Sequence, residues 1–228
     1  MAHRQMATGH RTGIEPVLLA ASVPARPGDR VLEAGTGSGA ALLCLAFRVP
    51  GIVGVGVERD PELAALAGRN MNANGFDLLS AVADDIVRFS SAAPFDHAMV
   101  NPPWHAAAGT PSADAAHEGA RRAEPGLIDR WVEALSGCLR PRGSLSVVTM
   151  AGALSATLAA FEHGGLGSVS VFPLWPKTEV AAKLVLLRAV KAGRSPSRLL
   201  PGLVLHEPVG RFTPAVEAIL REGAALRF

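Results

Sequence analysis

Three glycines at alternate positions, Gly35, Gly37 and Gly39, constrain this chain more than any other stretch. Val31-Leu32-Glu33 runs into them as an apolar strand that closes on an acid, and Ala40 to Arg48 follows as an apolar helix. The stretch reads strand, tight turn, helix. Glycine is needed where φ turns positive or where a ligand must come within contact distance, and the helix behind the turn leaves its first N–H groups unpaired. A cofactor is therefore expected against this turn. A dinucleotide fingerprint would read G-x-G-x-x-G, whereas the spacing here is Gly35-x-Gly37-x-Gly39 with Glu33 two residues ahead.

Gly51 to Val57 reads as a second β-rich run and closes on Glu58-Arg59-Asp60-Pro61. Glu58 stands 23 residues after Gly35, near the spacing of roughly 20 at which an acid accepts hydrogen bonds from adenosine ribose hydroxyls. Leu78 to Ala83 is a third strand and ends in Asp84-Asp85. Either acid suits an adenine amino group, and either also suits the cap of a short helix from Ile86 to Ser90. Spacing does not choose between them.

The remaining chain alternates in the same way. Pro61 at a first helical position starts Glu62 to Asn72, which Asn74-Gly75 stops. Phe95 to Val100 is a fourth strand, followed by a helix from Gly126 to Leu139, a strand from Gly143 to Met150 and a helix from Gly152 to His163. Ser168 to Phe172 and Lys183 to Val190 are strands, Gly193 to Pro201 is a Pro/Ser/Arg turn region, and Leu203 to His206 precedes a helix from Pro214 to about Ala225. Such alternation argues for a mostly parallel sheet covered on both faces. With 228 residues, 49% of them hydrophobic, one domain spanning 1–228 is expected. Its first 28 residues are read as an extension plus a helix, Val17 to Val23, beside the cofactor end of the sheet. Met1 to His10 has no periodicity and is expected to be frayed or ordered only by ligand.

The longest apolar runs, such as Ala40 to Phe47, fall well short of the roughly 20 residues that cross a bilayer, and Met1 to Gly13 is polar and basic. No membrane association is expected. Cys44 and Cys138 each lie in an apolar, helical-looking stretch, which fits buried thiols in a reducing cytoplasm better than a disulfide or a metal site. The net charge is only +2, but after Leu187 the chain carries Arg188, Lys191, Arg194, Arg198, Arg211, Arg221 and Arg227 against Glu207, Glu217 and Glu222. That skew suits an anionic partner such as a nucleic acid.

The loop from Glu33 to Gly39 resembles the first motif of the Rossmann-like S-adenosylmethionine methyltransferases, in which it wraps an amino acid tail rather than a pyrophosphate. The fourth strand then runs directly into Asn101-Pro102-Pro103-Trp104. Methyl transfer to an aromatic amine is hindered because the nitrogen lone pair is delocalised into the ring. An Asn side-chain oxygen and a backbone carbonyl can draw the two amine hydrogens aside and let the nitrogen pyramidalise. Proline fixes φ and carries no N–H, so Pro102 and Pro103 would hold that carbonyl in a rigid extended turn. The aromatic at the fourth position offers a flat face for a flipped base, worth roughly 1 to 3 kcal/mol per base. A strong general base is not required, because the sulfonium is already an activated donor.

Asn101-Pro102-Pro103-Trp104 resembles the (Asn/Asp/Ser)-Pro-Pro-(Tyr/Phe/Trp) motif of amino methyltransferases, which act on adenine N6, cytosine N4, guanine N2 or a glutamine amide. Adding Arg11-Thr-Gly-Ile-Glu-Pro-Val-Leu-Leu-Ala-Ala and Leu203-Val-Leu-His with the terminal helix, the chain resembles the bacterial tRNA adenine-N6-methyltransferases, which modify the adenosine beside the anticodon of a valine tRNA. The resemblance implies an α/β, Rossmann-like class I fold with a mostly parallel seven-stranded sheet and helices on both faces. It implies S-adenosyl-L-methionine as cofactor and tRNA as partner. Glu33, Ala34, Gly35, Thr36, Gly37, Gly39, Glu58, Arg59, Asp84, Asp85 and Asn101 would bind the cofactor, and Asn101, Pro102, Pro103 and Trp104 would form the catalytic set. Family members usually have Tyr where Trp104 stands, and this chain has no tyrosine. The rivals are a protein glutamine-amide N5-methyltransferase, usually carrying an additional N-terminal helical domain, a guanine-N2 rRNA enzyme, and an inactive RNA-binding relative.

Other residues read more plainly. His105, Asp114, His117 and Glu118 match no zinc spacing and are read as a solvated loop. Arg121, Arg122 and Arg130 suit phosphate contacts at the active-site mouth or a charged helix start. Trp175, between two late strands, is read as a packing anchor, with base stacking as its alternative. Ser, His and Asp nowhere take nucleophile-elbow spacing.

Overall fold

The computed structural model describes residues 1–7, 12–103 and 126–226, and the backbone of 105–106 and 122–123. Helix α1 (Glu15–Ser22) leads through a proline-rich turn to β1 (Arg30–Ala34), α2 (Ala40–Arg48), β2 (Val53–Glu58), α3 (Pro61–Ala73), β3 (Leu79–Ala83) and β4 (Phe95–Val100). Two short strands, β5 (His105–Ala106) and β6 (Arg122–Ala123), pair with each other apart from the main sheet. Then come α4 (Leu127–Cys138), β7 (Leu139–Met150), α5 (Leu154–His163), β8 (Leu166–Trp175), β9 (Leu184–Lys191), β10 (Arg198–Leu199), β11 (Leu203–Val204) and α6 (Pro214–Glu217).

The main sheet runs β3-β2-β1-β4-β7-β9-β8, and β10 and β11 both pair with β8. Among the described residues it holds nine strands, not the expected seven. The two additional ones are two-residue strands that follow the outer edge of β8, Arg198 beside Ser170 and Leu203 beside Leu174. They cover backbone groups that an open edge would expose, and two residues are too few to show a period in sequence. Within this sheet β9 runs antiparallel to β7 and β8, while the other pairings are parallel.

Side chains alternate across the sheet, and each face builds its own core. On one face Val31, Met99, Val148 and Leu186 pack under α1, α2 and α3. On the other, Leu32, Ala98, Val147 and Leu187 pack under α4 and α5 with Val132, Leu135 and Phe161. Helix ends are held by specific groups. The Asp60 carboxylate accepts from the N–H groups of Glu62 and Leu63, with Pro61 at the first helical position of α3. The C-terminal carbonyls of α1 are taken by Arg48, which donates to Ala20 and Val23, by Arg188, which donates to Ser22, and by the Leu226 N–H, which donates to Ala21. Lys191 does the same for α4, donating to the carbonyls of Ser136 and Leu139.

Several local expectations are corrected. Residues 86–88 form a single turn and no helix runs from Ile86 to Ser90: Asp85 caps that turn, its carboxylate accepting from the Val87 N–H and its carbonyl from Arg88 and Phe89, and the chain does not continue it. The C-terminal helix is a four-residue α6 that widens into a π-type stretch, Ala218–Glu222, and stops at Gly223 with φ 71°. Strand β7 begins at Leu139, four residues before the expected start, and β8 spans Leu166–Trp175 through an irregularity between Gly167 and Ser170. Trp175 ends that strand instead of lying in a loop, and its indole N–H donates to Pro201 O at 3.0 Å, as a packing anchor would. Of Met1 to His10, expected to fray, Ala2 and Arg4 are held through their backbones by Asn74 and Asn70 on α3, while residues 8–10 lie outside the described residues.

Replacing Arg48 with Met keeps the aliphatic stem but takes the charged donor from two carbonyls at the end of α1, leaving Ala20 O, among the described residues, only its long bond from the Val23 N–H. Stability should fall by about 2 kcal/mol, read as a lower denaturant midpoint at unchanged slope. A midpoint equal to wild type would show that the arginine cap is dispensable.

Candidate active site

Four parallel strands end side by side in the order β3, β2, β1, β4. Ala83 pairs with Glu58, Val57 with Ala34 and Ala34 with Val100, so Asp84, Glu58, Gly35 and Asn101 leave the sheet at nearly one level. Three inter-strand gaps separate the outer two, about 14 Å in all. Open α/β sheets bind ligands at such carboxyl ends, where connections leave one strand in opposite directions; here β1 lies between β2 and β4.

The glycine turn is stitched to β2. The N–H groups of Gly35 and Thr36 both donate to Val57 O, at 2.8 and 3.2 Å, and the Gly37 N–H donates to Glu58 Oε2 at 2.9 Å. Gly35, Gly37 and Gly39 have φ of 62°, 55° and 88°, the left-handed region that side chains resist. A Cβ on Gly35 would also lie 2.9 Å from the Trp131 ring of α4, a neighbour the sequence did not single out. Thr36 crosses to β2 at Gly56, where a Cβ would sit 2.7 Å from it. Its hydroxyl donates to Glu33 Oε2 at 2.6 Å. Ala34 is fully buried in the strand, so it offers a ligand only backbone.

Glu33 is 3% exposed, and its carboxyl is pushed up to about 8. Burial is the main cause; the Thr36 hydroxyl and a backbone hydrogen bond with Leu42 pull the other way, and Glu58 adds repulsion. An acid kept neutral by burial ionises more readily when a cation lies against the loop. Glu58 receives a second N–H, from Asp60 at 3.0 Å, so both its oxygens accept. Arg59 follows on an exposed bend. Asp84 and Asp85 are half-buried, and each accepts from the turn that follows, Asp84 from the Asp85 N–H and Asp85 from the Val87 N–H. Their two roles therefore remain as equal as in the sequence.

Asn101 Oδ1 is buried and has no hydrogen-bond partner among the described residues. A buried carbonyl oxygen left unpaired costs about 1 to 3 kcal/mol, so its place at a strand terminus points to a donor brought by a ligand. Pro102 is buried and Pro103 half-buried behind it. Trp104 lies outside the described residues, as do Asp114, His117, Glu118 and Arg121; for His105 and Arg122 only the backbone is described. The residues present fit S-adenosylmethionine: acids on β2 and β3 suit a nucleoside, a positive-φ cradle suits an amino acid tail, and an orphan acceptor lies on the neighbouring strand.

At the opposite end of the sheet His97 bonds Ser144 Oγ at 2.8 Å and Asp29 Oδ2 at 3.2 Å. It resembles a nucleophile relay, but Ser144 is buried in the middle of a strand pairing, without the sharp turn that exposes a nucleophile. Both thiols are deactivated by burial, Cys44 pushed up to about 11 and Cys138 raised.

Comparison with known proteins finds similarity to methyltransferases. Residues 16–114 match the model of the protein-L-isoaspartate (D-aspartate) O-methyltransferase family. The chain is 29% identical over 208 residues to a tRNA1(Val) (adenine(37)-N6)-methyltransferase of Aeromonas hydrophila, covering 89% of this chain and 85% of that protein. It is 38% identical over 89 residues to a release factor glutamine methyltransferase of Rhodospirillum rubrum, covering 39% of this chain and only 26% of that one. A crystal structure of a predicted O-methyltransferase from Agrobacterium tumefaciens superposes with a TM-score of 0.77 at 23% identity, covering 93% of this chain and 98% of that one.

The folded chain holds the Glu33 proton until pH approaches 8, whereas an unfolded chain releases it near 4.5. Between those values the folded state binds more protons, so stability should fall as pH rises, by at most about 1.4 kcal/mol per pH unit. Glu33→Gln should remove that slope, melting above wild type at pH 8.5 and close to it at pH 4.5. Parallel melting curves across this range would contradict a neutral buried acid.

Proposed function

We propose, from its membership of the class I S-adenosylmethionine-dependent methyltransferases, that this enzyme methylates an amino nitrogen, N6 of an adenine in tRNA. The observation that carries the reading is the buried Asn101 Oδ1, without a partner among the described residues, one strand away from the glycine cradle. A carboxylate acceptor brings no hydrogen for Asn101 Oδ1 to receive, whereas an aromatic amine brings two. The similarity to the tRNA enzyme extends over most of both chains, while the isoaspartate family match stops at residue 114.

In this reading Gly35, Gly37 and Gly39 cradle the amino acid tail, with Glu33, Ala34 and Thr36 shaping the turn. Glu58 and Arg59 flank the ribose, and Asp84 or Asp85 meets the adenine. When bound, the cofactor supplies a methyl group on a sulfonium leaving group. Asn101 Oδ1 and the Pro102 carbonyl accept the two amine hydrogens and turn the nitrogen lone pair out of its ring. Pro103 stiffens that turn, and Trp104 gives the base a stacking face. The acceptor's proton leaves after transfer. No helix among the described residues is long and apolar enough to cross a membrane, and we take the enzyme to be a single domain working in the cytoplasm.

A glutamine-amide acceptor is the second reading, supported by 38% identity to the release factor enzyme over 89 residues and by the resemblance of Asn101 to Trp104 to the motif of amino methyltransferases, glutamine-amide enzymes included. Labelled S-adenosylmethionine offered with total tRNA, rRNA, a release-factor peptide and an isoaspartyl peptide distinguishes them. Label recovered as N6-methyladenosine from tRNA is expected; label in a peptide alone would overturn the reading. Asn101→Ala should lower kcat by at least about 100-fold while the Kd for S-adenosylhomocysteine stays within twofold. Equal loss of both would contradict this division of roles.

A further inference from the structure

The segment Ala2–Arg4 is bound to α3 as a strand is bound to its neighbour. The Ala2 N–H donates to Asn74 Oδ1 at 2.8 Å, and Asn74 Nδ2 donates back to Ala2 O at 2.6 Å. Two residues on, the Arg4 N–H donates to Asn70 Oδ1 at 3.0 Å and Asn70 Nδ2 returns to Arg4 O at 2.9 Å. The spacing explains why this works. Four residues along a helix advance about 6.0 Å, and two along an extended chain about 6.7 Å. Side-chain amides four apart on α3 therefore meet alternate residues of an extended segment, each presenting a donor and an acceptor as a backbone would.

The same asparagine reaches the glycine turn. Asn70 Nδ2 also donates to Ser38 O at 2.9 Å, and His3, between the two clasped residues, places Nε2 2.8 Å from Ser38 Oγ. Ser38 lies between Gly37 and Gly39; its hydroxyl is held by His3 of the N-terminal segment and its carbonyl by Asn70 of α3, the same asparagine that clasps Arg4. Asn70 is 1% exposed in a helix interior, where asparagine is a poor helix former, and three hydrogen bonds there account for its presence.

We propose that residues 2–4 form a strap that holds the glycine turn in its donor-binding shape, with His3 the positioning residue that fixes Ser38. Glycines at positive φ make the turn permissive, and permissive backbone must be held from outside if a ligand is to find it ready. The strap supplies one hold directly, His3 on Ser38 Oγ, and braces a second, since Arg4 fixes the Asn70 amide that donates to Ser38 O. This inference rests on the turn being the donor site and is independent of which acceptor is methylated.

Calorimetric titration with S-adenosylhomocysteine and hydrogen exchange of the free protein test it. His3→Ala should raise the Kd about 10-fold, the loss expected for one well-placed hydrogen bond, and speed exchange of the Gly37 to Gly39 amides. His3→Gln, whose amide can still bond Ser38, should recover most of the affinity, and kcat at saturating donor should change less than twofold in both. Asn70→Ala should act in the same direction. Wild-type affinity and exchange in His3→Ala would overturn the strap, as would a lower melting temperature with no change in Kd. If the wild-type protein itself fails to bind S-adenosylhomocysteine, the donor assignment falls and takes this inference with it.

Discussion

The Val57 carbonyl accepts from two consecutive backbone N–H groups, those of Gly35 and Thr36, and much of the molecule serves to keep that bifurcated contact in place. It joins the end of β1 to the end of β2 and forces the chain to reverse within a few residues, which only glycines at positive φ permit. From there Gly37 N–H reaches Glu58, Thr36 reaches back to Glu33, and Gly39 hands the chain to α2. A ligand site appears where a backbone turn has been fixed by its neighbours before any ligand arrives. Preorganisation of this kind reduces the ordering cost of binding.

Parallel register then carries the arrangement sideways. Because β3, β2, β1 and β4 end level with one another, the acids, the turn and the Asn-Pro-Pro segment form a row instead of four unrelated loops. In the proposed reading the row has a chemical direction, from groups suited to a nucleoside, through a cradle for an amino acid, to an acceptor for amine hydrogens. On that proposal strand order brings donor and acceptor together, and orientation of this sort supplies much of the barrier reduction in group transfer. Burial adds the electrostatic part: Glu33 is kept neutral in the free enzyme and Asn101 Oδ1 is kept dry.

Much of this was legible in the sequence because it rests on local rules. Gly35 to Gly39, the helix Ala40 to Arg48, the strand Phe95 to Val100, and Glu58 at its offset all declare themselves by residue type and spacing. What escaped depends on contacts distant in sequence. Ala2 to Arg4 has no periodicity of its own, and its order comes from Asn70 and Asn74, 66 and 72 residues away. Trp131 meets Gly35 only because α4 crosses back over β1. The edge strands β10 and β11 are two residues each, below any readable pattern, and the expected helix from Ile86 is a single turn capped by Asp85. The paired asparagines on α3 were the one available signal, since helix interiors disfavour them.

The central claim is that cofactor and acceptor occupy neighbouring strand ends of one site. A crystal structure of the enzyme with S-adenosylhomocysteine and adenosine measures this directly. The account predicts the amino acid tail against Gly35 to Gly39, the ribose at Glu58, and the adenosine N6 about 2.9 Å from Asn101 Oδ1 with its nitrogen facing the sulfur. An adenosine bound elsewhere, or Asn101 Oδ1 turned away from N6 with the sulfur on another face, would contradict it.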